Sequence, residues 1–299
     1  MLKDFKELLR LHAGKERKKI AVAMAQDVDV LHALDAARAA GIAGAVLVGD
    51  KEKLKALADH ENIDLKNYDI IDKADEADCV KEAIGVIKAG EAQVLMKGLC
   101  STAIFLKNIL NKENGLRSAK LLSHLAIFES PNYHKLLFMS DAAMNIAPDL
   151  DEKIAITDNA IRAVNRLGYK NPKVALISAV EKVNAAGMPS SADAAIISKM
   201  GERGQIKNAV IDGPLAVDNA LSRRANEVKG LQSPVGGDAD ICIVPNIETG
   251  NVFYKLLTVL GNAQVAGVVL GASVPVVLTS RADSDNSKYL SIASALAIS

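Results

Sequence analysis

Tryptophan is absent from this 299-residue chain, and aromatic residues make up only 3% of it. A chain with 49% hydrophobic residues but so few rings must build its core from Ala, Val, Ile and Leu, as buried parallel sheets do. Cysteine is scarce too: Cys79, Cys100 and Cys242 are scattered, odd in number and form no CxxC pair. Neither a zinc knuckle nor a disulfide framework is supported. Net charge is missing as well, with 36 Lys and Arg against 36 Asp and Glu. No overall field recruits a polyanion, so nucleic acid is not the expected partner. The longest apolar run, 265–278, is broken by small residues and Pro275, and it falls short of the roughly 20 residues a spanning helix needs. Residues 1–19 read as a charged amphipathic helix with no apolar h-region behind it. No membrane partner is expected, and the chain is placed in the cytoplasm.

The common cofactor and nucleophile signatures are also missing. There is no GxGxxG after the first strand-like run and no Gly-rich loop ending in Gly-Lys-Ser/Thr; Gly14-Lys15 lacks both the upstream glycine and the strand. HExxH and the Gly-x-Ser-x-Gly elbow do not occur. The five histidines (12, 32, 60, 124 and 134) have no metal-ligand spacing and read as surface or satisfied core residues. No metal and no redox cofactor is implied.

What the chain does have is alternation. Strand-like runs at 19–25, 43–49, 68–71 and 93–98 are each followed by a helical pattern, at 29–40, 51–60, 74–89 and 102–110. Such β-α alternation specifies a doubly wound parallel sheet. The rhythm changes at 121–129 and 135–139, two apolar runs flanking the turn composition Ser130-Pro131-Asn132-Tyr133-His134, which reads as an antiparallel hairpin. Alternation then resumes, with helices expected at 151–167, 191–200, 215–223 and 254–260, strands at 174–178, 209–211, 241–244, 268–270 and 276–279, and a last helix at 284–297. A chain this long suits two lobes better than one core. The expected fold is α/β, two doubly wound parallel-sheet lobes with an active-site cleft between them. Residues 1–120 plus 268–299 would form the first lobe and 121–267 the second.

Polar clusters sit at several expected strand ends. Pro275-Val276-Val277-Leu278-Thr279 runs straight into Ser280-Arg281-Ala282-Asp283-Ser284, and a helical pattern follows. A hydroxyl, a guanidinium and a carboxylate at a strand-to-helix junction favour an anion, through the helix N-terminus and the Arg fork. Capping accounts for Asp283 or Ser284 but not for a cation in the first turn, where the helix dipole disfavours it. Asp141-Ala142-Ala143-Met144-Asn145 follows another apolar run and can equally be an Asx-rich turn. Lys97-Gly98 ends a strand and leads through Thr102 to Lys107, which as a pair could be surface lysines. Asp212-Gly213-Pro214 reads chiefly as a turn with Pro at a helix start. Asn246, Thr249 and Asn251 follow the strand at 241–244. Polar ends on successive parallel strands mark a ligand site at the carboxyl edge of a sheet.

Taken together, these clusters resemble the phosphate acetyl/butyryltransferase family from about Lys97 to the C-terminus. The matching pieces are Thr102-Ala103-x-x-Leu106-Lys107, Asp141-Ala142-Ala143-Met144-Asn145-x-x-Pro148, Asp212-Gly213-Pro214-Leu215-x-x-Asp218, Val244-Pro245-Asn246-x-x-Thr249-Gly250-Asn251-x-x-Tyr254-Lys255-Leu256 and Pro275-x-x-x-x-Ser280-Arg281. The resemblance implies two α/β lobes and reversible exchange of a short acyl group between coenzyme A and phosphate. Acyl-CoA and inorganic phosphate would be the partners, with coenzyme A a substrate and no cofactor needed. It implies catalytic roles for Ser280, Arg281 and Asp283, and substrate-binding roles for Lys97, Lys107, Asp141, Asn145, Asn246, Thr249 and Asn251. The Ser-Arg-Ala-Asp-Ser version is similar to the butyryl branch. The acetyl branch carries Asn-Asp before its Leu-Ser-Arg, an Asp six residues beyond the Arg where this chain has Ser287, and an Arg where it has Lys107. Asp283 and Asp285 are therefore the nearest candidates for the base. A homo-oligomer, at least a dimer, is expected. The other readings are a phosphate acetyltransferase, a non-catalytic acyl-CoA-sensing domain and an oxidoreductase on a related two-lobe architecture.

Overall fold

The computed structural model describes residues 1–278 and 283–299. In chain order the helices and strands are α1 (Phe5–Arg10), β1 (Lys18–Ala23), α2 (Val28–Ala39), β2 (Ala43–Gly49), α3 (Lys51–Glu61), β3 (Asp69–Asp72), α4 (Glu76–Lys88), β4 (Val94–Lys97) and α5 (Thr102–Ile109). Next come β5 (Ser123–Glu129), β6 (Leu137–Ser140), α6 (Leu150–Arg166), β7 (Lys173–Ile177), α7 (Pro189–Glu202), β8 (Val210–Leu215), α8 (Val217–Leu221), α9 (Arg223–Lys229), β9 (Ile241–Ile243) and α10 (Ile247–Lys255). The chain closes with β10 (Gln264–Leu270), β11 (Val276–Val277) and α11 (Asp285–Ile298). The fold is mixed α/β. No helix among the described residues is long and apolar enough to cross a membrane.

The chain divides into two compact units, one made of Phe5–Ala119 with Ala266–Ser299 and the other of Met1–Asp4 with Lys120–Val265. In the first, the strands run β3-β2-β1-β4-β11-β10. All neighbours are parallel except β10 and β11, which pair antiparallel at Val269 and Val276. β11 lies against β4, with Val276 opposite Leu95 and Val277 opposite Met96. Val22 and Met96 on one face and Ala21 and Leu95 on the other are fully buried, so the central strands are covered on both faces. α11 is buried over nearly its whole length, which is why its pattern shows no polar stripe. Helix starts follow the composition closely: Asp27, Asp50, Asp75 and Ser101 each accept a backbone N–H from the first turn of the helix behind them.

In the second unit the order is β5-β6-β9-β7-β8. β5 pairs antiparallel with β6, as the hairpin composition predicts, and β6, β9, β7 and β8 are parallel. The core here gathers Phe128, Leu137, Met139, Ile177, Leu215, Cys242 and Val244, with Tyr254 edge-on to Phe128 at 5.4 Å. Each fully buried side chain of this size contributes about 1.5–3 kcal/mol. Lys135, 1% exposed, is held by Asp240 at 2.7 Å and by the Asp238 carbonyl at 2.9 Å, while Lys173 holds the Asp238 carboxylate at 2.7 Å. Burial by itself would raise the Asp238 carboxyl, but the hydrogen bonds from Lys173 and Lys135 outweigh it and hold the group well below the usual carboxylate range.

Several elements depart from the sequence reading. The first helix covers only Phe5–Arg10, not residues 1–19: turns follow it, Gly14 takes a left-handed φ of 71° and β1 begins at Lys18. α8 is shorter than the helix expected at 215–223, because residue 215 still belongs to β8, and α9 was not foreseen. α10 starts at Ile247 rather than 254, and a π-helical turn, Leu256–Leu260, follows it. The strands of the first unit are not all parallel, since β10 and β11 pair antiparallel.

Candidate active site

In the second unit, a cavity of about 670 Å³ opens at the carboxyl edge of β7, β8 and β9. Ile177, Ser178 and Ala179 come from the end of β7, Ala216 and Val217 from the end of β8, and Pro245 and Asn246 from the end of β9. Met188, Pro189 and Ser190 enter from the start of α7, and Lys153 from α6. The wall is mostly apolar, with a few polar groups that could orient a ligand. Lys153 is fixed by Asp193 at 2.7 Å. α7 has Pro at its first position and no side-chain cap, whereas α10 is capped by Asn246, whose Oδ1 accepts from the Thr249 amide at 2.9 Å. Asn246 and Thr249, both expected as substrate contacts, thus line the cavity; Asn251 lies beyond them on the exposed side of α10.

Gly250 explains why this helix carries glycine in its first turns. A Cβ there would meet the Asp141 carbonyl oxygen at 2.7 Å and the Ala142 Cα at 2.8 Å. The Asp141–Asn145 and Asn246–Asn251 clusters are therefore packed together, and the amide of Ile247 also bonds the Ile146 carbonyl at 3.0 Å. Asp141 is 2% exposed. Its carboxylate accepts from the amides of Ala143 at 2.8 Å and Met144 at 3.0 Å and from the Asn145 side chain, which also donates to Leu122 O at 2.9 Å. Both residues hold the loop that leads toward the cavity. Asp212 has a similar local task, accepting from Gly213 N and the Ser233 hydroxyl.

Lys97, Lys107 and Asp283 belong to the other unit. Lys97 ends β4, half-buried, and donates to the carbonyls of Gly98 at 2.9 Å and Cys100 at 3.0 Å. The register that sets Val277 against Met96 brings Leu278 alongside Lys97 at the same carboxyl edge. Gly98 is required there, since a Cβ would strike the Met24 and Ala23 carbonyls. Lys107 is exposed in the last turn of α5, where a cation complements the helix dipole. Ser280 and Arg281 lie outside the described residues. Ser284, not Asp283, caps α11, accepting from the Ser287 amide at 3.2 Å. Asp283 is half-buried just ahead of that cap, and Asp285 is exposed in the first turn.

The thiols are poorly suited to nucleophilic work. Burial pushes Cys100 up to about 11 and Cys242 up to about 12, so neither supplies much thiolate near neutrality. Among the described residues, no group of three or more His, Cys, Asp or Glu is placed to hold a metal ion. Lys153, Met188 and Ser190 escaped the sequence reading. These three reach the wall through helix starts remote in sequence, which no local pattern marks.

Comparison with known proteins places these features. The family profile described as phosphate acetyl/butaryl transferase matches residues 4–85 and 76–296. A phosphate butyryltransferase of Clostridium acetobutylicum is 47% identical over 293 residues, covering 98% of this chain and 97% of that protein. A phosphate acetyltransferase of Thermotoga maritima is 41% identical, covering 96% of this chain and 97% of its own. The crystal structure of a branched-chain phosphotransacylase from Enterococcus faecalis V583 superposes with a TM-score of 0.83 at 36% identity, over 94% of this chain and 98% of that one. The chain belongs to the phosphate acetyl/butyryl transferase family.

Proposed function

We propose that the chain catalyses butyryl-CoA + phosphate ⇌ butyryl phosphate + coenzyme A, with butyryl preferred over acetyl. The observation that carries this reading is the 47% identity, over 98% of the chain, to a phosphate butyryltransferase. The Thr279-Ser280-Arg281-Ala282-Asp283-Ser284 stretch and the apolar cavity wall support it. It is a transferase, and acyl-CoA and phosphate are its substrates. The chemistry calls for no metal and no redox cofactor.

In the acyl-phosphate direction, the Asp283 carboxylate takes the thiol proton of coenzyme A. The thiolate attacks the acyl carbonyl, the Ser280 hydroxyl donates to the oxyanion, and the carbon–oxygen bond to phosphate breaks. The Arg281 guanidinium holds the departing phosphate through its fork. Lys97, Asn246 and Thr249 are proposed as substrate contacts from their places at strand ends. The same role is proposed for Lys107 and Asn251, both exposed, and for Asp141 and Asn145, which also hold the loop between β6 and α6. The exposed apolar residues Val252, Leu256, Val259 and Leu260, spaced at helical intervals, support a homo-oligomer. Light scattering on the purified protein tests that: a monomer at micromolar concentration sinks it. The buried thiols accord with a reducing, cytoplasmic setting.

The test of function is release of free coenzyme A from acetyl-, propionyl-, butyryl- and isobutyryl-CoA, with and without phosphate. Two extra methylenes in an apolar pocket are worth roughly 1–3 kcal/mol, so butyryl-CoA should exceed acetyl-CoA by tens- to a few hundred-fold. Equal or better use of acetyl-CoA overturns the butyryl preference alone. Release without any dependence on phosphate overturns the reaction.

A further inference from the structure

We propose that Lys288 is a positioning residue for Asp283. The inference rests on the reading of Asp283 as the base. Lys288 is the fourth residue of α11 and only 3% exposed. Its ammonium donates to the Asp283 carbonyl at 2.7 Å and to the Asp29 carboxylate, in the first turn of α2, at 3.0 Å. The location works against the charge twice. A cation near a helix N-terminus opposes the dipole, and burial of an ammonium costs more than burial of an apolar side chain of its size. Holding α11 against α2 does not require it, since Leu290, Ile292, Ala293 and Leu296 are buried along that helix already.

What the ammonium supplies is a fixed point. It ties the backbone of Asp283 to a second helix. Asp29 neutralises the charge and aims it. Lys18 makes an instructive contrast. It binds the other end of the same helix, donating to Leu296 O at 3.3 Å and Ser299 O at 2.8 Å, far along the chain from the catalytic segment. Local conflicts of charge with helix polarity gather at functional sites, where an exact backbone position outweighs their cost. A misplacement of about 1 Å in a catalytic group costs on the order of 10²-fold in rate.

The experiment measures phosphate-dependent coenzyme A release from butyryl-CoA by the full chain and by Lys288→Met, Lys18→Met, Asp283→Asn and the Asp283→Asn/Lys288→Met pair, with thermal denaturation alongside. Lys288→Met should lower kcat by about tenfold or more, and Lys288→Arg, which keeps the charge and donors, should recover part of it. Lys18→Met should lose stability at unchanged kcat. The double variant should be no slower than Asp283→Asn, because Lys288 acts through Asp283. Lys288→Met with parental kcat, or additive losses in the double variant, overturns the positioning role and leaves the reaction standing. A parental rate for Asp283→Asn overturns the base and this inference with it. Should Lys288→Met not fold, the same cycle is read with Lys288→Gln, which also removes the charge, and the same outcomes decide.

Discussion

Arg281 is asked to bind phosphate in the ground state and to follow its charge through the transition state. Arg281→Ala should therefore raise the phosphate KM and lower kcat, the latter on the order of 10²-fold or more, and Arg281→Lys should restore only part of it because the fork is gone. A phosphate dependence equal to the parent's would make Arg281 structural. Asp283 can be tested more sharply, because Ser284 takes the cap of α11. Asp283→Asn should fold normally and bind coenzyme A while losing roughly 10²–10⁴-fold in rate. A fully active Asp283→Asn would move the base to Asp285. Cys100 and Cys242, whose thiols burial raises, stand outside the chemistry on this account.

At the level of elements, Asn246 has two tasks that one substitution separates. Its Oδ1 caps α10, and the residue also lines the cavity. Asn246→Asp caps equally well, so the melting temperature should be kept, while an added negative charge beside anionic substrates should raise their KM severalfold. An unchanged KM would confine Asn246 to capping. The same helix shows where sequence reading reached its limit. The β-α alternation of the first unit was legible because periodicity and Asp caps mark each element locally. Asn246-x-x-Thr249-Gly250-Asn251 reads as a loop by composition, yet its glycine is there for close approach to Asp141 and Ala142, a tertiary reason that no local pattern carries. The polar strand ends at Lys97 and Asn246 were readable for the same reason as the strands. Lys153, Met188 and Ser190 were not, since each enters the cavity from the start of a helix whose direction only the packed sheet decides.

Over the whole molecule, the charge cluster around Asp238 contributes to acid sensitivity. Asp238 has its carboxyl lowered in the folded state, so its stabilisation is complete above the unfolded value of about 4 and is lost as pH falls below it. Asp238→Asn should cost about 1–3 kcal/mol near neutrality, because Lys173 loses its carboxylate while Lys135 keeps Asp240, and should flatten the decline in melting temperature below pH 4. A decline as steep as the parent's would assign the acid sensitivity elsewhere. The path of the chain has a consequence for its synthesis. It passes from one unit to the other after Asp4, Ala119 and Val265. β4 emerges early, but its neighbour β11 is made only when translation is nearly finished. At about 5–20 residues per second, the ribosome leaves that flank of β4 open for roughly ten seconds or longer. During that interval an apolar strand edge without its mate is available to neighbouring nascent chains on the same messenger.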